Sequence, residues 1–153
     1  MRMDRETASS LKLWVVMNRA LRSVEKPLRR QVEAHGLSFT EFGVLEVLLH
    51  KGPLPIGEIG NRILLTSGSM TYVIDKLEQR GLIDRRACEE DRRIIYAELT
   101  EQGRTLIETV FSEHAALIRR LMQELRPAEK ETVTNLLKRL GRSVAERGVP
   151  EPS

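Results

Sequence analysis

Cysteine is almost missing from this chain. Cys88 is the sole one in 153 residues, which rules out an intrachain disulfide and fits a reducing compartment. Long apolar runs are missing too, and nothing approaches the roughly 20 residues that a membrane span needs. The opening MRMDRETASS has no apolar run behind its basic residues, so neither a secretory signal nor a membrane partner is expected, and the cytoplasm is the expected location. Histidine is scarce: His35, His50 and His114 fall on separate segments, none at a metal-binding spacing such as H-E-x-x-H. A nucleophile elbow and a phosphate-binding glycine loop are also absent. Catalysis needs groups matched in role and geometry, so no catalytic residue, metal or cofactor is expected. Charge of one sign is weak as well, with 25 basic against 22 acidic residues and a net +3. That balance permits a nucleic-acid partner without demanding one. Aromatics make up 4%, so Leu, Ile and Val must fill the interior.

What the chain does have is apolar patterning, at 41% hydrophobic residues. After a polar start at 1–9, Leu13, Met17, Leu21, Val24, Leu28 and Val32 recur at helical spacing, with Pro27 inside as a candidate bend and Gly36 as a left-handed stop. A second helix follows, with Thr40 as N-cap or first-turn residue and Phe42, Leu45, Leu48 and Leu49 on its buried face; Gly52-Pro53 ends it. LPIGEIGNRIL reads as a short helix with Ile56, Ile59 and Ile63 on one side. LTSGSM reads as a turn, capped by Thr66 or Ser67, into a helix that buries Met70, Val73, Ile74 and Leu77 and stops at Gly81. The period then drops to 2: LIDRRA and RRIIYAELT are strand candidates around a CEED turn. A long helix from Thr100-Glu101 carries an apolar seam from Ile107 to Leu125, and Pro127 opens a last helix with Val133, Leu136, Leu137, Leu140 and Val144.

Helix, helix, helix, hairpin is the organisation of a winged helix-turn-helix. Two supporting helices let a third project its outer face into the major groove, while the hairpin reaches phosphates or the next minor groove. The expected DNA contact is 55–98. Ser67, Gly68 and Ser69 are small enough for backbone amides to approach a phosphate, and Thr71, Tyr72, Asp75 and Lys76 lie on or near the outward face. Arg85, Arg86, Arg92 and Arg93 arm the hairpin, nearly cancelled by Asp84, Glu89, Glu90 and Asp91. Read blandly, TSGS is a helix cap only and the hairpin a self-paired surface loop. The outer helices carry more apolar seam than a head of this size can cover, so a second copy is the expected outlet. A monomer folded on itself is the alternative. The fold class is mainly α with a small β wing. Residues 1–36 form an N-terminal dimerisation helix, 37–99 the winged helix-turn-helix, 100–147 the C-terminal dimerisation helices and 148–153 a tail.

LLTSGSMTYVIDKLEQRGLIDRR, followed by Asp91-Arg92-Arg93, Leu99-Thr100 and Gly103, strongly resembles the MarR family of bacterial transcription regulators over about residues 11–147. The resemblance implies interlocked dimers on a palindromic site, with Ser67 to Lys76 in the major groove. It implies that Arg93 enters the minor groove, with Asp91 shaping the wing base and Arg92 beside the backbone. It also implies repression relieved by a small phenolic or other aromatic compound bound between the dimerisation helices and the head. Trp14, Met17, His35, Phe42 and Phe111 are the candidates for that pocket, and each is equally readable as core. The run KGPLPIGEIGNRILLTSGSMTYVIDKLE looks closest to members answering quinones and similar electrophiles, which suggests a redox role for Cys88 against the simpler reading of an incidental thiol. An activator, a constitutive DNA binder and a protein-binding winged helix stay open.

Overall fold

Asp4 opens the first helix: its side chain accepts the Thr7 backbone N–H at 2.8 Å, and α1 runs Arg5–Glu33. The polar stretch is therefore helical from Arg5, because a good cap satisfies an otherwise orphaned amide. The helix continues through Pro27. Gly36 takes φ 74°, the left-handed conformation that turns the chain, two residues after the Ala34 cap. The computed structural model describes residues 3–63 and 67–148, without side chains at 67–69. The turn expected at 64–67 and its cap at Thr66 or Ser67 lie outside that description.

Helix α2 spans Phe39–Lys51 and is capped by Ser38. Ser38 Oγ accepts the Glu41 N–H at 3.0 Å while the Glu41 carboxylate accepts the Ser38 N–H at 2.8 Å, a reciprocal capping box. Thr40 sits in the first turn and is not the cap. Leu54–Pro55 forms strand β1 rather than the start of the expected helix, and α3 is confined to Ile56–Arg62. Two residues are too short a strand for alternation to reveal, and only pairing with a distant strand defines it. Helix α4 covers Ser67–Gln79. It stops at Gly81, φ 70°, where the Leu82 N–H reaches back to the Leu77 carbonyl at 3.0 Å.

Strands β2, Ile83–Ala87, and β3, Ile95–Leu99, form the hairpin, and β1 adds on the far side of β3 to give an antiparallel sheet in the order β1-β3-β2. Leu54 lies opposite Ala97, and Arg85 lies opposite Ala97 from the other side. Strand β3 begins three residues later than its sequence pattern suggested, so Arg92 and Arg93 belong to the turn. The turn is closed by Cys88 N–H to the Ile94 carbonyl at 2.9 Å and Ile94 N–H to the Asp91 carbonyl at 3.0 Å.

Helix α5 spans Glu101–Leu121, four residues short of the expected seam end at Leu125, and α6 spans Pro127–Arg147. The chain divides into two units, Met1–Ile118 and Arg119–Ser153. The core of the first is built from Val32, Leu45, Leu48, Ile59, Ile74, Leu77, Ile83, Ala97, Ile107 and Val110, all at most 1% exposed. In the second, α6 has no buried residue: Val133, Leu136, Leu137, Leu140 and Val144 are all exposed.

Candidate nucleic-acid interface

Helix α4 is amphipathic, and its inner face decides its outer one. Met70, Val73, Ile74 and Leu77 are buried as expected, which turns Thr71 and Tyr72 to solvent; Tyr72 is 68% exposed. An exposed ring of this size covers no core and is available to a partner. The side chains of Ser67, Gly68 and Ser69 lie outside the described residues, although the backbone of α4 begins at Ser67.

The other two expected contacts on α4 are engaged within the protein. Asp75 is half-buried and paired with Arg85, which also reaches Glu78 at 3.3 Å. Lys76 Nζ lies 3.0 Å from Glu41 Oε1. Arg86 faces Glu98 across the hairpin at 3.8 Å. Asp75 and Arg85 thus join α4 to β2, and neither is a free base-reading group in this conformation.

The wing tip is different. Arg93 Nε donates to Asp91 Oδ1 at 3.0 Å, Nη2 to Oδ2 at 3.1 Å, and the Arg93 backbone N–H to Oδ1 at 3.1 Å. This forked pairing lowers the Asp91 carboxyl pKa and raises that of the Arg93 guanidinium, each chiefly through the side-chain hydrogen bond to the other. Even so, the Arg93 side chain is 90% exposed. Asp91 orients the guanidinium without covering it, and Arg92 beside it is also exposed.

The base of the wing is fixed by Thr100. Its hydroxyl donates to the Gly81 carbonyl at 2.6 Å and accepts the Gly103 N–H at 3.0 Å, while its own N–H reaches the Leu82 carbonyl at 3.1 Å. Gly103 packs so closely on Leu82 that a Cβ there would fall inside contact distance of the Leu82 carbonyl oxygen. Leu-Thr followed by glycine is therefore a joint between the end of α4, strand β2 and the start of α5.

A groove of about 480 Å³ opens beneath the head, lined by Phe39, Phe42, Val47, Ile63, Glu46, His50 and His114 among others. Of the five pocket residues expected from sequence, Phe42 alone lines it. Trp14 is 64% exposed on α1 and Met17 is half-buried there. His35 is bound to Glu113 at 2.6 Å, and Phe111 stacks edge-on against His50 at 4.7 Å between ring centres. Periodicity locates an apolar stripe but does not say which part of a long helix meets the head. Helical spacing marks His114 only as part of a seam; its ring lies 4.5 Å from that of Phe42 and bonds Gln31 Oε1 at 3.0 Å, and burial lowers its pKa. Burial raises the Glu46 carboxyl, with His50 nearby opposing.

Cys88 is half-buried at the end of β2, in a small hollow with Arg86, Glu89, Glu90 and Tyr96. Among the described residues no group of three or more His, Cys, Asp or Glu is placed to hold a metal ion, and no helix is long and apolar enough to cross a membrane.

A MarR family model matches residues 37–95. The chain is 47% identical over 135 residues to the HTH-type transcriptional regulator MhqR of Bacillus subtilis (strain 168), covering 88% of this chain and 93% of that one. The fold is similar to that of AbsC, a MarR family transcriptional regulator from Streptomyces coelicolor, with a TM-score of 0.82 at 21% identity, covering 95% of this chain and 99% of that one. It is also similar to a mutant MarR from E. coli complexed with operator DNA, with a TM-score of 0.77 at 20% identity, covering 86% and 95% of the two chains.

Proposed function

The chain belongs to the MarR family of DNA-binding transcription regulators, and from that premise we propose that it is a homodimeric repressor of a palindromic operator, released by a small aromatic or electrophilic compound. The observation that carries the reading is the joint exposure of Tyr72 on α4 and Arg93 at the wing tip. A helix face for the major groove and a slender arginine for the minor groove divide the work as duplex recognition requires. Thr71 and Tyr72 read bases or phosphates, the start of α4 at 67–69 approaches the backbone, and Arg92 lies beside the Arg93 contact. Asp91 presents Arg93, while Arg85 and Arg86 serve the wing through Asp75 and Glu98.

The exposed apolar residues of α1 (Leu13, Trp14, Leu21) and of α6 (Leu136, Leu137, Leu140) support a second copy as partner. The effector reading rests on the groove floored by Phe42 and His114, which suits a flat aromatic molecule. Cys88 offers electrophiles a covalent route instead.

A duplex-shift titration on DNA flanking the protein's own gene tests all of this. It is run with a phenolic acid, a quinone and diamide, for wild type and Cys88→Ser. Release by the quinone in wild type alone assigns the switch to Cys88. Release by the phenolic acid in both proteins assigns it to the groove. Failure to shift any flanking duplex in preference to unrelated DNA contradicts the repressor reading.

A further inference from the structure

Glu41 is a carboxylate at 2% exposure, yet it is fully partnered. Oε2 accepts the Ser38 N–H at 2.8 Å and Arg80 Nη1 at 3.2 Å, and Oε1 faces Lys76 Nζ at 3.0 Å. Arg80 Nη1 also donates to the Gly36 carbonyl at 2.9 Å. One buried group thus ties the turn after α1, the cap of α2, and α4 at Lys76 and just past its end at Arg80. Stripping donors from a buried carboxylate is costly, which holds the geometry around it, while the Ser38 N–H and Arg80 remain on Oε2 if Lys76 alone is lost.

Lys76 and Arg80 are four residues apart, one helical turn along α4 and its C-terminal extension. Held at two points one turn apart, a helix can neither roll about its axis nor slide along it. Roll is what sets where Thr71 and Tyr72 face, since both lie less than two turns from Lys76 on the same helix. We propose that Glu41 is a positioning residue for DNA reading: through Lys76 and Arg80 it locks α4 in the rotation that its buried face selects, and Lys76 serves this latch rather than a phosphate. The proposal rests on α4 being the reading helix.

The two roles for Lys76 differ in what they change. A phosphate contact contributes equally to all duplexes and adds about one to the salt slope. A latch changes discrimination, because a rolled helix still meets the phosphates but misaligns with base edges. Loss of stability alone lowers the active fraction for every duplex together and leaves their ratio fixed.

The test uses the full chain and two duplexes of equal length: one selected from a random library by the wild-type protein, and one scrambled. Affinities for both are measured across a salt series for Glu41→Gln, Lys76→Met, the double variant and Lys76→Arg. The expected result is a fall of about tenfold, or about 1.4 kcal/mol, in the selected-to-scrambled ratio for each single change. The double variant should be no worse than either single one, the salt slope should not change, and Lys76→Arg should keep most of the ratio. If Glu41→Gln does not fold, Lys76→Met, altering a half-exposed side chain, carries the test. An unchanged ratio, or a Lys76→Met slope smaller by about one, overturns the latch. Tyr72→Ala separates the premise from the proposal. If it leaves the ratio intact, α4 is not the reading helix and the proposal falls with it; if it lowers the ratio while Glu41→Gln does not, the latch alone fails.

Discussion

Arg93 shows how much one side chain can be read from sequence and how much needs coordinates. Its type and place behind Asp91 mark it as a wing arginine, but sequence left its four neighbouring acids free to neutralise it. Among the described residues Asp91 is the acid that pairs with it, and 90% of the side chain stays in solvent. Replacing Arg93 with Ala should weaken binding to a selected duplex by about 1–3 kcal/mol, read by fluorescence anisotropy, with little change in melting temperature because the side chain packs on nothing. Lys76 and Asp75 went the other way. Both look outward by helical spacing, yet Glu41 and Arg85 capture them. Spacing gives an angle around a helix and is silent about a partner 35 residues away in the chain. By sequence Thr40 competes for the cap that Ser38 and Glu41 in fact form, and the second use of the Glu41 carboxylate leaves no local mark at all.

At the scale of elements, the helices were legible because each carries a full apolar stripe, and α4 stops where Gly81 permits it. The sheet was only partly so, since β1 has two residues and exists through its pairing with β3. The joint at Thr100 and Gly103 gives the sharpest stability prediction. Gly103→Ala drives a methyl into the Leu82 carbonyl, and should cost about 3 kcal/mol by urea denaturation; unchanged stability would mean that α5 and β2 separate without penalty. The α1–α5 contact predicts a pH dependence. Burial holds the His114 pKa below its ordinary 6.5, so the unfolded chain takes up the proton first. This term leaves stability at its full value above pH 6.5 and erodes it on acidification until the folded-state value is passed. Glu113, lowered chiefly by its hydrogen bond to His35, adds stability above its ordinary 4.5 that is lost only at lower pH, as its folded-state value is crossed. Melting temperatures from pH 7.5 to 5.5 should therefore decline in wild type and decline less in His114→Leu.

For the whole molecule, the exposed leucines of α1 and α6 are the feature that a single copy leaves unexplained. Leu136→Glu with Leu140→Glu changes two exposed positions, so folding should survive while association fails. Sedimentation should then give the 17.5 kDa chain mass, where wild type gives twice that value. Wild type running as a monomer would remove the dimer. If α4 and the wing read duplex DNA together, a hydroxyl-radical footprint on a duplex selected by the wild-type protein will show both. Wild type should protect two symmetric regions about one helical turn apart, each flanked by minor-groove protection that Arg93→Ala loses while the inner protection remains. A footprint unaltered by Arg93→Ala, or no protection on any selected duplex, would contradict it.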